Sequence, residues 1–210
     1  MRICYVIGAG KLPLLYIKEQ NAFIIAADGG LEKLEAIQPD ITVGDFDSLG
    51  FVPEGENVIT LPVKKDLTDM QYAVELGITK GYKTFVLYGG TGGRPDHTFA
   101  NYALLCSLAE RGLTGYLIGE GYVVTAVHNS SIKLPKHKDG TVSVFSADKC
   151  SNGVTIKGLE YTLDNAQLQF NTPMGVSNSF IGQESEISVK DGTLLIMWEE
   201  NNIKEFIDKM

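Results

Sequence analysis

Through roughly the first 120 residues the apolar positions come in short unbroken runs separated by stretches with helical spacing. The runs are Ile3–Gly8, Phe23–Ala27, Ile41–Val43, Val58–Leu61, Thr84–Tyr88 and Tyr116–Ile118. Unbroken runs of this length predict strands covered on both faces, as in a parallel sheet between helices. Between them, Leu31, Leu34 and Ile37 predict one helical stripe. Met70, Ala73, Val74 and Gly77 predict a second, and Phe99, Ala100, Ala103, Leu104 and Leu108 a third that runs to Gly112. A short helix is expected from Pro13 across residues 12–20. Strands alternating with helices predict an open α/β sheet, which binds ligands at the carboxyl ends of its strands.

Beyond residue 122 the pattern changes. Short β-runs are split by Gly, Asn, Asp and Pro: Val123–Val127, Ser131–Leu134, Thr141–Phe145, Val154–Ile156, Ala166–Phe170, Glu186–Val189 and Thr193–Trp198. Lys190-Asp191-Gly192-Thr193 carries a hairpin signature. This half predicts an antiparallel β-sandwich, jelly-roll-like, with Trp198 in its core. Ile203, Phe206, Ile207 and Met210 suit a short terminal helix. The expected domains are 1–124, a parallel-sheet α/β/α unit, and 125–210, the sandwich.

Composition narrows the function. With 44% hydrophobic and 21% charged residues, the 210-residue chain is an ordinary globular protein. No apolar run approaches the length of a bilayer span. Met1-Arg2 leads straight into a strand with no cleavage pattern, which predicts a cytoplasmic location. Cys4, Cys106 and Cys150 are too few and too scattered for a disulfide framework or a zinc site, and Cys4 and Cys106 are expected buried and reduced. A net charge of −8 with no Lys or Arg block argues against nucleic acid.

The candidate chemistry sits where apolar runs break. After Ile41-Thr42-Val43 come Gly44, Asp45, Phe46 and Asp47. If that turn is near-extended, both carboxylates lean toward one point, and two acids so close favour a divalent cation between them. Oxygen ligands suit Mg²⁺. A plain polar turn explains the same residues. Asp66 is placed as a helix N-cap with Asp69 three residues on, like a capping box. Gly8-Ala9-Gly10 resembles the start of a dinucleotide fingerprint, but Pro13 stands where its third glycine belongs.

A second constellation is Gly89-Gly90-Thr91-Gly92-Gly93-Arg94-Pro95-Asp96-His97, between a strand and a helix. Its bare backbone N–H groups can surround a phosphate, and Arg94 adds a fork suited to phosphate oxygens. Asp28, Asp45, Asp47, Asp66, Asp69 and Asp96 all fall at element ends on the expected ligand side. Capping alone explains two or three of them. A Mg²⁺–polyphosphate explains the acids and the glycines together, which points to phosphoryl-type transfer.

Taken in order, DGG (28–30), GDFDSL (44–49), KDLTDMQYA (65–73) and GGTGGRPDHTFAN (89–101) resemble the thiamine pyrophosphokinase family, and KGLEYTL (157–163) and GVSNSF (175–180) resemble its thiamine-binding half. The resemblance covers essentially the whole chain. It implies a nucleotide-binding α/β domain followed by a β-sandwich, in a homodimer with each active site at the subunit interface. It implies transfer of a pyrophosphoryl group from ATP to thiamine with Mg²⁺. By position it implies that Asp45, Asp47 and Asp69 hold Mg²⁺ and the triphosphate, with Asp66 nearby. Asp28, Gly29 and the loop Gly89, Gly90, Thr91, Gly92, Gly93 and Arg94 would bind ATP. Asp96 and His97 would shape the site, and Ser177, Asn178 and Phe180 would meet thiamine.

Two other readings remain. A phosphatase of the haloacid-dehalogenase type also has Asp-x-Asp after a strand, but with Thr or Val two residues beyond the second Asp, where this chain has Leu49. A nucleotide sensor would bind ATP without turnover.

Overall fold

The structure, a computed structural model, describes residues 2–18, 22–47 and 49–210. The fold is mixed α/β. Two compact units divide the chain: Met1–Asn101 with Tyr116–Glu120 and Ile207–Met210, and Tyr102–Gly115 with Gly121–Phe206.

The first unit is built on β1 (Ile3–Ile7), β2 (Ala22–Ala27), β3 (Ile41–Gly44), β4 (Val58–Thr60) and β5 (Thr84–Tyr88). They run parallel in the order β5-β1-β2-β3-β4. Every residue of β1 and β5 is buried, as their unbroken apolar runs require. The helix α1 (Asp69–Thr79) covers β1, β2 and β3, burying Met70, Ala73, Val74 and Gly77. Gly77 allows the close approach, since a Cβ there would sit 2.7 Å from the Phe85 ring and 3.0 Å from Cys4 Sγ.

Three local expectations change. Leu12–Lys18 forms no helix. Its backbone is taken instead by tyrosine hydroxyls: Tyr88 donates to the Tyr16 carbonyl (2.8 Å), and Lys18 N donates to the Tyr5 hydroxyl (3.2 Å). Glu19 and Gln20, the end of that expected helix, lie outside the described residues. The stripe Leu31, Leu34, Ile37 is carried by a 3₁₀ helix, Asp28–Leu34, too short to bury all three, so Ile37 is exposed. The N-cap of α1 is Thr68, whose hydroxyl accepts from Gln71 N at 3.2 Å, not Asp66. Asp66, relieved of capping, is exposed.

The helix α2 (Pro95–Glu110) and β6 (Thr114–Gly119) follow. The second unit then holds β7 (Tyr122–His128), β8 (Ser131–Leu134), β9 (Thr141–Ser146), β10 (Cys150–Lys157), β11 (Leu163–Gln169), β12 (Gly175–Ser179), β13 (Ser185–Ser188) and β14 (Thr193–Glu199). Antiparallel pairing orders them β12-β9-β14-β7 and β11-β10-β13-β8. The Asp191-Gly192 turn therefore closes no hairpin, because β13 and β14 go to different sheets. Lys190 N and Asp191 N both donate to Asn152 O, which turns the chain from one sheet to the other. Trp198 is buried edge-on against Phe206, in the middle of the terminal helix α3 (Ile203–Lys209). All three cysteines are free; Cys4 is buried, while Cys106 is only half-buried. Among the described residues no helix is long and apolar enough to cross a membrane.

Candidate active site

The strand order places a topological switch point in the first unit. From β1 the chain proceeds outward through β2, β3 and β4, then returns to the other side of β1 as β5. Loops leaving β1 and β5 therefore diverge, and open α/β sheets bind ligands in such crevices. Here the two loops are first laced together. Gly8 N donates to Tyr88 O (2.8 Å), Gly10 N to Gly89 O (2.8 Å) and Lys11 N to Thr91 O (2.9 Å). Gly89 has φ +63°, and a Cβ there would run into the Gly8 carbonyl. Asn101, buried on α2, donates to the Gly90 carbonyl at 2.8 Å and braces the loop from behind.

Beside these loops lies a cavity of about 590 Å³, all of whose lining residues belong to the first unit. It is lined by five of the six acids singled out above, Asp28, Asp45, Asp47, Asp66 and Asp69, and by Gly89, Gly90, Thr91, Gly93, Arg94 and His97. Gly8, Ala9 and Gly10 line it too. Gly29, Gly92 and Asp96 do not. Gly92 packs on the Lys11 side chain, and Asp96 pairs with Arg94 on the exposed surface. That pairing, chiefly its hydrogen bond from Arg94, holds Asp96 down at about 2.

Carboxylate oxygens of Asp28, Asp45 and Asp47 lie within 4.8 Å of one another, running from buried to exposed. The turn that brings them together is not extended. Phe46 takes a left-handed conformation, φ +60°, with its ring buried, and Asp28 is left-handed at φ +49°. Non-glycine residues rarely hold such angles unless their surroundings enforce them, as at functional sites. An all-oxygen donor set of this kind fits a hard divalent cation such as Mg²⁺. Ser48, next in the motif, lies outside the described residues.

Asp69 enters differently. Lys65 stands between it and Asp45, with Nζ 2.7 Å from Asp45 Oδ2 and 3.1 Å from Asp69 Oδ1. The hydrogen bond from Lys65 holds the Asp45 carboxyl below its ordinary range. Burial pushes Asp69 above it, against the pull of Lys65. Burial alone would lower Lys65, but its bonds to the two acids outweigh that and raise it.

The second unit brings its two family-like stretches side by side. Glu160 N donates to Ser179 O (3.0 Å), and Leu159 bridges Phe180. GVSNSF is not a free turn but largely β12, paired to β9 with a register shift between Gly175 and Asn178. Ser177 is exposed, left-handed at φ +58°, with its N–H on Ser143 Oγ at 3.1 Å. Asn178 is buried; its carboxamide accepts from Tyr161 N (2.9 Å) and donates to Tyr161 O (2.6 Å). Phe180 is also buried, its ring tilted against His137 at 4.7 Å. Tyr161, Met174, Val176 and Ile181 stay exposed.

Lys65 and Asn101 fall inside the family-like motifs but had no stated role in the sequence, and Gly8–Gly10 was discounted there. The signal for Lys65 was its charge, four residues before Asp69 on the approach to α1, which allows an i,i+4 pair. The Gly8–Gly10 contribution depends on pairing with a loop some 80 residues away, which no local pattern records.

Two family models match the chain. The family model for the thiamin pyrophosphokinase catalytic domain matches residues 14–117, and that for the thiamin pyrophosphokinase vitamin B1 binding domain matches residues 129–194. Thiamine pyrophosphokinase of Bacillus subtilis is 24% identical over 210 residues, covering 94% of this chain and 98% of its own. Thiamin pyrophosphokinase 1 of Caenorhabditis elegans is 24% identical over 188 residues, covering 82% and 76%. The crystal structure of the Bacillus subtilis enzyme superposes with a TM-score of 0.82 at 23% identity, covering 96% of this chain and all of that one. Thiamin pyrophosphokinase from Geobacillus thermodenitrificans gives 0.81 at 24% identity, covering 95% and 98%.

Proposed function

The chain belongs to the thiamin pyrophosphokinase family, and from that premise we propose that it moves the pyrophosphoryl group of ATP to the hydroxyl of thiamine, with Mg²⁺, leaving AMP. One observation carries the reading: the carboxylates of Asp28, Asp45 and Asp47 converge on the same cavity as the Gly89–Arg94 loop. Bound Mg²⁺ would neutralise charge on the polyphosphate.

The chain's own residues then have these tasks. Asp45 and Asp47 would hold the metal together with Asp28, whose carboxylate oxygen lies within 4.8 Å of theirs; Asp66 and Asp69 complete the acidic wall. Backbone N–H groups of residues 89–93 orient phosphate oxygens, and Arg94 offsets charge developing on them. Asp96 acts through its pair with Arg94. His97, on the cavity wall, is read as a nucleotide contact, whereas Gly29 lies outside the lining and would act only through its neighbour Asp28.

The acceptor falls to the second unit, read here as a jelly-roll-like sandwich, so that 1–124 and 125–210 are functional halves. A cationic thiazolium favours aromatic faces. Ser177 offers an exposed hydroxyl, and Asn178 contributes by fixing Tyr161. Phe180 works as the buried floor of that loop. We further read the protein as a cytoplasmic homodimer whose acceptor loop serves the partner's nucleotide site. Mixing inactive Asp47→Asn protein with inactive 177–180 loop-disrupted protein should then restore part of the activity once subunits exchange; no recovery after verified exchange refutes the shared site.

The reaction is tested by incubating protein with ATP, Mg²⁺ and thiamine and identifying the products. Equal AMP and thiamine diphosphate is the expected result. Thiamine-independent phosphate release would instead favour a phosphatase, and ATP binding without turnover a sensor. Membership of this family favours neither.

A further inference from the structure

One ammonium sits among the cavity's carboxylates. The Lys65 side chain is only 15% exposed, hydrogen-bonds Asp45 and forms an ion pair with Asp69. Asp45 is at once its partner and a member of the trio whose oxygens converge within 4.8 Å. A carboxylate engaged in a charge-assisted hydrogen bond is a poorer metal donor, and an ammonium at this range repels a divalent cation.

We propose that Lys65 is the site's built-in counter-cation: it holds Asp45 and Asp69 together in the metal-free protein, opposes entry of a bare divalent cation, and yields its ammonium to phosphate oxygens when the cation arrives with a nucleotide. This rests on the Mg²⁺–ATP reading above. A bare cation brings no anion to take up the ammonium it displaces from Asp45, leaving that ammonium only Asp69. A metal–polyphosphate brings the anionic oxygens that receive it. The long flexible lysine stem suits a charge that changes partners. The site would thereby select the metal–nucleotide complex over free metal.

The test is binding of free Mn²⁺ to the metal-free protein, by electron paramagnetic resonance or calorimetry, without nucleotide. Lys65→Gln keeps a donor for Asp45 but removes the charge, and should bind free Mn²⁺ about tenfold tighter than the parent. Its KM for Mg–ATP should rise about tenfold, through loss of a charge-assisted phosphate contact. Lys65→Arg, which keeps the charge, should match the parent in Mn²⁺ affinity. A lysine that merely supports the fold would give the opposite, since loosened carboxylates bind free Mn²⁺ more weakly. Lys65→Met is the second uncharged variant. Unchanged or weaker Mn²⁺ binding in whichever of the two folds, judged by circular dichroism, overturns the proposal. The Mn²⁺ measurements need no turnover. A parent that makes no thiamine diphosphate refutes the reaction alone, and normal conversion without the Mn²⁺ shift refutes the role of Lys65 alone.

Discussion

At the cavity of the first unit, charged side chains line open space. Around the 175–180 segment of the second, the buried side chain of Asn178 is closed on the protein's own backbone, while Tyr161, Val176 and Ile181 stay exposed. Both segments follow or form strands and both contain left-handed residues, Phe46 and Ser177. They differ in what is left over once the fold is satisfied. In the first unit the backbone of facing loops is joined to itself, between Gly8–Lys11 and Tyr88–Thr91, and charged side chains line the cavity beside it. In the second, side chains hold the backbone and apolar surface remains. A polyanion with its metal needs the first arrangement; a flat organic cation is served by the second.

The largest effect should come from breaking the charged side. Asp47→Asn keeps size and removes one anion, and kcat should fall at least ~10²-fold, the scale of losing a major electrostatic contributor. Circular dichroism should be unchanged. Near-normal turnover at modest Mg²⁺ would remove Asp47 from the metal set.

Two buried asparagines sharpen the contrast. Asn178→Leu leaves both Tyr161 backbone groups without their partner, and should cost about 1–3 kcal/mol in chemical denaturation. Asn101→Leu loses one bond, to Gly90, and should be felt chiefly as a higher KM for ATP. Equal stability losses with no change in KM would mean that Asn101 braces nothing functional.

The smallest effect concerns pH. Lys65 lowers the Asp45 pKa in the folded protein below its ordinary 3.8. Such a group contributes stability that is present above the unfolded value and lost as pH falls through the lower folded one. In metal-free protein the gap in melting temperature between parent and Asp45→Asn should therefore hold at neutral pH and close as pH drops below 3.8. A gap that does not depend on pH in that range would show that the ion pair does not carry it.

The parallel strands were legible because burial on both faces leaves unbroken apolar runs; β5 matches its run at every residue and β1 at all but Gly8. The acids of the cavity were legible because five charged residues at strand and helix ends exceed what capping requires. What stayed hidden depends on partners distant in sequence. Gly8–Gly10 becomes part of the cavity only through β5. Asp191-Gly192 has the residues of a hairpin, yet its strands belong to different sheets, a choice made by Asn152. The trio's turn passes through Phe46, buried and left-handed, a conformation that an Asp-Phe-Asp sequence does not announce. Asp66 looked like a cap because Thr68 can cap equally well, and only the helix start distinguishes them. Residues 175–180 were legible solely through family resemblance, since Gly, Ser and Asn in sequence suggest a turn rather than a bulged strand.

The division of labour between the two units is tested most directly by Michaelis constants for both substrates in two variants. Arg94→Ala should raise KM for ATP about tenfold or more, the scale of a lost charge-assisted contact, and leave KM for thiamine within about twofold. Ser177→Ala should do the reverse, raising KM for thiamine a few-fold, roughly one neutral hydrogen bond, and leaving ATP alone. Both constants moving together in each variant would contradict the division, and a rise in KM for ATP confined to Ser177→Ala would invert it.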